Sequence, residues 1–181
     1  MSERARALLA EADRRLGPAA VKAARAAASE GFAGGSAWMA AAMGRPERLA
    51  PARARYLGIV KYGFSLLASA TMLGATWGLF GPLAVLPAAL AFYAVEAQLV
   101  FLFPVAIEGH AAPFREAFRL TRTAGGTLAV MATVLRIAAT MLLGGPWRGG
   151  IVRAWSLGCL AIVVWYEQLV PRAGAGGLGS P

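Results

Sequence analysis

From Tyr62 to Val95 the chain carries no charged residue over 34 consecutive positions. A single helix of that length would measure about 51 Å at about 1.5 Å per residue. The hydrocarbon core of a bilayer is only about 30 Å thick. The run therefore predicts a chain that folds back on itself. The reversal is written at Gly78-Leu-Phe-Gly81-Pro82, where Gly81 supplies a bend and Pro82 opens a new helix at its first turn. Two apolar helices follow from this pattern, 57–80 and 82–107, with Pro87 a candidate kink and Pro104 a candidate point of unwinding. Two more apolar stretches, 126–144 and 151–170, flank the turn Gly145-Pro-Trp-Arg-Gly-Gly150.

The polar stretch between the second and third apolar segments has its own pattern. Over 113–122 the residues Phe114, Ala117, Phe118 and Thr121 fall on one side of a helix. Arg115, Glu116, Arg119 and Arg122 fall mostly on the other. That spacing fits either an amphipathic helix on a membrane surface or a solvated loop. Residues 1–56 are Ala- and Arg-rich. Ala5, Leu8, Ala12 and Leu16 form an apolar stripe in a first helix, which Gly17-Pro18 ends. A second helix is expected over about 18–30, a break at 31–35, and a short apolar segment over 36–43 that lies at the interface or packs under the bundle. Residues 171–181 read as a flexible Gly-rich tail. The predicted fold class is all-α, an integral membrane four-helix bundle with a cytoplasmic or interfacial helical N-terminal region.

Composition supports this reading. The chain of 181 residues is 58% hydrophobic and 15% charged, against about 45–50% and about 25% in soluble domains. A mean hydropathy of +0.57 excludes a disordered chain and disfavours an ordinary water-soluble domain. One cysteine, Cys159, excludes an internal disulfide and a cysteine-based zinc cluster, and one histidine, His110, excludes a His-rich metal site. Cys159 reads as a packing residue and His110 as an exposed loop residue. Residues 1–16 contain no secretory h-region.

The net charge of +9 invites a nucleic-acid reading, but no aromatic-basic binding module accompanies it. Its distribution fits topology better. Residues 1–56 hold ten Lys and Arg against five acids, the first turn between spans holds none, and the loop after the second span holds three. Cytoplasmic loops collect such cations. The expected placement is therefore a multi-pass membrane protein with both termini cytoplasmic; the bacterial inner membrane is what the resemblance given below implies. Arg45, Arg48, Arg53, Arg55, Arg115, Arg119 and Arg122 are the expected membrane-surface cations, facing anionic lipid head groups.

Few residues point to chemistry. Arg136 stands mid-way along the third apolar segment, where an uncompensated Arg costs at least about 2.5–3.5 kcal/mol. Glu96, at a similar distance from the inner end of the second segment, is its expected partner, with Tyr93 and Gln98 completing a polar network. That pair would either fix helix register or line an ion or proton path. Lys61 and Glu167, near inner span ends, either pair or snorkel to water. Ala70, Gly74 and Gly78 form a small-residue ridge, suited to internal packing or to homo-dimerisation. No phosphate loop, nucleophile elbow or zinc-protease motif is present, and no cofactor is expected.

Pro104-x-x-x-Glu108-Gly109, then Phe114-x-x-Ala117-Phe118-x-x-Thr121, then Gly125-Gly126 resembles a layout found in poorly characterised bacterial multi-span proteins. It is similar to the membrane domain attached to some glycerophosphodiester phosphodiesterases. The resemblance covers about 25 residues and implies a helical membrane module. The catalytic barrel of those enzymes has no counterpart here, so no activity carries over. The leading expectation is a non-enzymatic accessory or scaffold subunit, with a protein partner or homo-oligomer. A small oligomeric transporter or channel using Glu96 and Arg136 is the alternative. A lipid-modifying enzyme would need Glu108, His110, Glu116 and Glu167 gathered at one interface.

Overall fold

A computed structural model describes residues 3–45, 49–143 and 150–170, and all regular structure among them is helical. The helices are α1 (Glu3–Arg15), α2 (Pro18–Ala28), α3 (Phe32–Ala42), α4 (Pro51–Phe80), α5 (Val85–Gln98), α6 (Leu102–Ile107), α7 (Pro113–Thr123), α8 (Gly126–Leu143) and α9 (Ile151–Leu169). The expected tail 171–181, the surface cation Arg48 and the turn residues 145–149 lie outside the described residues.

The predicted reversal is present. Gly81 adopts φ +54, and a 3-10 turn over Gly81–Ala84 carries the chain from α4 into α5. The helix 82–107 is not one rod. It breaks at 99–101, between α5 and α6. Neither proline causes the break. Pro87 is the third residue of α5 and Pro104 the third of α6. In a first turn the missing N–H has no intrahelical acceptor to lose. The kink expected at Pro87 and the unwinding expected at Pro104 are thus replaced by a turn upstream of Pro104. Thr121 of α7 braces that turn, donating its hydroxyl to the Ala97 carbonyl at 3.1 Å and the Gln98 carbonyl at 3.3 Å. These are end-of-helix carbonyls that otherwise lack donors.

α7 is amphipathic as expected, but rotated. Its buried positions are Pro113, Ala117, Leu120 and Thr121, while Phe118 is exposed. Arg119 pairs with Glu116 within the helix, and this contact holds the Glu116 carboxyl below its ordinary value.

The N-terminal helices are integral to the packing. The expected break at 31–35 shrinks to Gly31, at φ +60, and Gly34 and Gly35 lie within α3. α3 is buried by α4, α6 and α9 and is no surface helix. A Cβ on Gly34 would stand 2.0 Å from the Ala27 carbonyl oxygen of α2, so only glycine permits this approach. α1 lies on α9 and α8, burying Ala5, Leu8 and Ala12 as the stripe predicted. Two ion pairs hold it there: Arg15 to Glu167 at 2.7 Å and Asp13 to Arg153 at 2.8 Å. Arg4 donates to the Ala124 carbonyl at 2.7 Å, capping α7, and its guanidinium lies 6.0 Å from the Trp165 ring. Glu167 thus pairs with Arg15 and not with Lys61, and pairing of Lys61 with Glu167, one of the two expected accounts beside snorkelling to water, does not occur.

The helices divide into two kinds. α9 is the central pillar, with buried residues on all sides from Ala154 to Tyr166. The α4–α5 hairpin is the opposite. Phe64, Leu66, Leu67, Trp77, Leu79, Phe80, Leu83, Leu86 and Leu90 are all exposed, and no charge interrupts them. Two stretches, Pro51–Ile107 and Gly126–Leu143, are long and apolar enough to cross a membrane. The small-residue ridge of Ala70, Gly74 and Gly78 is exposed on the hairpin, with nothing within 4 Å of a Cβ built on either glycine. Internal packing, one of the two expected uses of the ridge, does not occur.

Two outcomes test this arrangement. Gly34→Ala should lower stability by about 1–3 kcal/mol, the range for overpacking a tight contact, read as an earlier thermal transition by circular dichroism. Arg15 donates to Glu11, and this holds the Glu11 carboxyl below its ordinary value of 4.5. Its contribution is complete above pH 4.5 and lost as pH falls through the lowered value. Amide protection in α1, measured against the intrinsic exchange rate at each pH, should therefore fall in that acid range before protection in α9 does. Simultaneous loosening of both helices would contradict it.

Candidate functional site

Lys61 is the last charge before the uncharged run and Glu96 the first after it. α4 carries one and α5 the other, and the hairpin closes them together. Lys61 Nζ lies 2.9 Å from Glu96 Oε2. Only 4% of Lys61 and 8% of Glu96 is exposed. The register follows from the turn. Lys61 stands about 30 Å below Gly81 at about 1.5 Å per residue. Glu96 stands about 24 Å below it, allowing about 2 Å per residue in the 3-10 turn. A lysine side chain spans the difference.

The pair opens onto a cavity of about 740 Å³ bounded by α3, α4, α5, α6, α8 and α9. The wall is mainly aliphatic and aromatic, with Tyr62, Tyr93 and Cys159 among its few polar side chains. The Lys61 ammonium also lies 5.3 Å from the Tyr62 ring and 5.9 Å from that of Phe103, within cation–π range. Phe32 stacks on Tyr62 with ring centroids 5.4 Å apart, and Gly58 leaves room for that phenyl ring.

The expected Glu96–Arg136 pair is replaced by Glu96–Lys61. Residues Val134, Ile137, Ala138 and Met141 of α8 face the cavity. Arg136 lies roughly opposite them at about 100° per residue. Equal depth was therefore not enough, because the two side chains leave their helices in different directions. Of the wider network, Tyr93 does line the cavity, edge-on to Phe92 at 5.4 Å. Gln98 does not join it. Its amide bonds Thr127 at the start of α8. Of the surface cations, Arg45 lies 3.6 Å from Glu108, Arg53 reaches the His110 carbonyl at 3.4 Å, and Arg55, Arg115 and Arg122 are exposed. Among the described residues no three His, Cys, Asp or Glu side chains converge.

Removing one member of a buried pair strands the other charge and costs about 3–5 kcal/mol. Lys61→Met and Glu96→Gln should each destabilise the protein by that order, whereas the paired replacement should recover most of the loss. Thermal unfolding of the three variants in detergent measures this. A paired variant no better than the worse single one would show that the two side chains are not coupled.

Comparison with known proteins finds no family model, no curated protein and no solved structure that matches this chain.

Proposed function

We propose that the protein is a membrane-inserted, non-enzymatic component of a larger assembly, an accessory or scaffold subunit of a bacterial inner membrane. The observation that carries this reading is the uncharged, outward-facing apolar surface of the α4–α5 hairpin. From Lys61 to Phe80 the first arm alone measures about 29 Å, close to the hydrocarbon thickness. Water would meet a run of exposed large apolar side chains on both arms of the hairpin, the kind of surface that marks contact with lipid or a partner. Lipid or an apolar partner relieves that exposure. The flank of α8 adds to it, with Leu128 and Leu142 exposed.

In this reading the hairpin and α8 are the inserted elements. α9 stands behind them, shielded by α1, α2 and α3, rather than facing lipid as a fourth equal span. The exposed cations Arg55, Arg115 and Arg122 sit on the cytoplasmic side, towards anionic head groups. The exposed ridge of Ala70, Gly74 and Gly78 offers a close-packing face for a second helix within the bilayer.

A second reading, a small oligomeric transporter or channel, is favoured by one observation: the buried Lys61–Glu96 pair facing a large cavity. Ionisable groups inside a membrane protein are expensive and mark transport paths more often than chance. It requires that proteoliposomes show a flux that the paired Lys61→Met, Glu96→Gln replacement abolishes.

Insertion itself is tested with nitroxide labels on single cysteines at positions 67 and 79, in a Cys159→Ser background. In lipid vesicles both labels should collide freely with oxygen and be protected from a water-soluble nickel chelate. Free access of the chelate to both would remove the hairpin from the bilayer and the proposal with it.

A further inference from the structure

We propose that the central cavity is a binding site for an uncharged single-chain amphiphile, whose hydroxyl- or carbonyl-bearing head meets Lys61 and Glu96 and whose hydrocarbon chain fills the remainder. This goes beyond the scaffold reading and does not depend on how many helices cross the bilayer.

Volume is the first support. About 740 Å³ lies within the range of about 300–1,000 Å³ typical of small-molecule sites. A close-packed interior holds few voids larger than a water molecule. A partly open cavity this size, lined from α3, α4, α5, α6, α8 and α9, is therefore a feature of the fold.

The wall sets the second constraint. Val100, Phe103, Val134, Ile137, Met141 and Ile162 make it apolar around a single charged spot. Such lining holds water poorly, because a buried water needs two to four polar partners. It suits a hydrocarbon chain.

The charged spot sets the third. Lys61 and Glu96 sum to zero. An ionised head group entering the cavity would leave one net charge in an apolar surround, at the desolvation cost that keeps lone buried ions rare. A neutral head leaves the balance intact. The ammonium has three N–H donors and the carboxylate two acceptor oxygens. The ion pair runs through Glu96 Oε2. A head with an ester carbonyl and a hydroxyl can accept from the first group and donate to the second.

The rim gives direction. Among the cavity-lining residues, Phe32, Leu142 and Ile151 are also exposed, the last two at 72% and 75%. An opening edged by large apolar side chains admits a ligand from a hydrocarbon phase. The head then travels inward to the pair and the chain trails towards the rim.

The test uses the full-length protein in phosphatidylcholine vesicles and, as probe, a 1-monoacylglycerol carrying a diazirine mid-chain. Photolysis followed by peptide mass spectrometry locates the adducts. Two classes are expected: adducts on cavity-lining residues of α8 and α9, and adducts on the hairpin surface around Leu79 and Leu83. Excess 1-monooleoylglycerol should suppress the cavity adducts at least five-fold and leave the hairpin adducts unchanged, whereas oleate should suppress neither. The paired Lys61→Met, Glu96→Gln replacement should cut the cavity adducts to a similar extent. Ala138→Phe, which places a ring in the cavity without touching the ion pair, should abolish them and keeps the test decisive if the paired variant fails to fold. Cavity adducts absent, indifferent to competitor, or displaced equally by oleate would overturn the proposal. Hairpin adducts report bilayer contact separately, so failure of the scaffold reading would show there instead.

Discussion

The contact between Lys61 and Glu96 sets the register of the hairpin. Two charges of opposite sign flank a long uncharged run, and neither can be buried alone. Folding the run back at Gly81 brings them to the same depth, and the ion pair then fixes α4 against α5 at the point where the hairpin leaves the body of the protein. Below that point the helices pack on all sides around α9. Above it, apolar side chains face outward. The pair therefore marks the border between two environments, and it is held by the cavity that α3, α8 and α9 close around it.

Around that border the molecule solves a second problem. Breaking the chain between α5 and α6 leaves carbonyls at the end of α5 without donors, in a region too crowded for bulk water. Thr121 supplies a hydroxyl to two of them. Phe101, inside the break, packs edge-on against Trp165 at 5.1 Å. Arg4 covers the far end of α7 and lies against the same indole. A turn that would weaken an isolated helix becomes the place where α1, α7 and α9 meet.

Much of this was legible in the sequence. The reversal at Gly81, the amphipathic stretch before α8 and the bounds of α8 and α9 all follow from periodicity and from glycine and proline placement. What periodicity does not carry is direction around an axis. Glu96 and Arg136 share a depth, yet at about 100° per residue Arg136 lies on the side of α8 away from the cavity-lining Val134, Ile137 and Met141. Counting from the Gly81 turn, instead of from the inner helix ends, would have found Lys61. The N-terminal helices were hard to place for a different reason. Their stripes announce burial but not the surface that buries them, and the ion pairs that decide it join residues 140 and 152 positions apart. The close approach at Gly34 has no signal at all beyond a glycine pair.

Those distant pairings have a consequence for how the chain is made. α1 leaves the ribosome before α9, and most of the surface that buries it is on α9, the last described helix to emerge. Until then α8 offers its apolar stripe only part of that surface, and the entropic cost of closing the remaining loop is met late. The hairpin, by contrast, can form as soon as α5 is complete, since its partner charges are local. Synthesis thus separates into an early event at the hairpin and a late clasp that seals the N-terminal helices over α9. In that interval the amphipathic α1 carries exposed apolar surface, the feature that makes incompletely folded chains prone to associate.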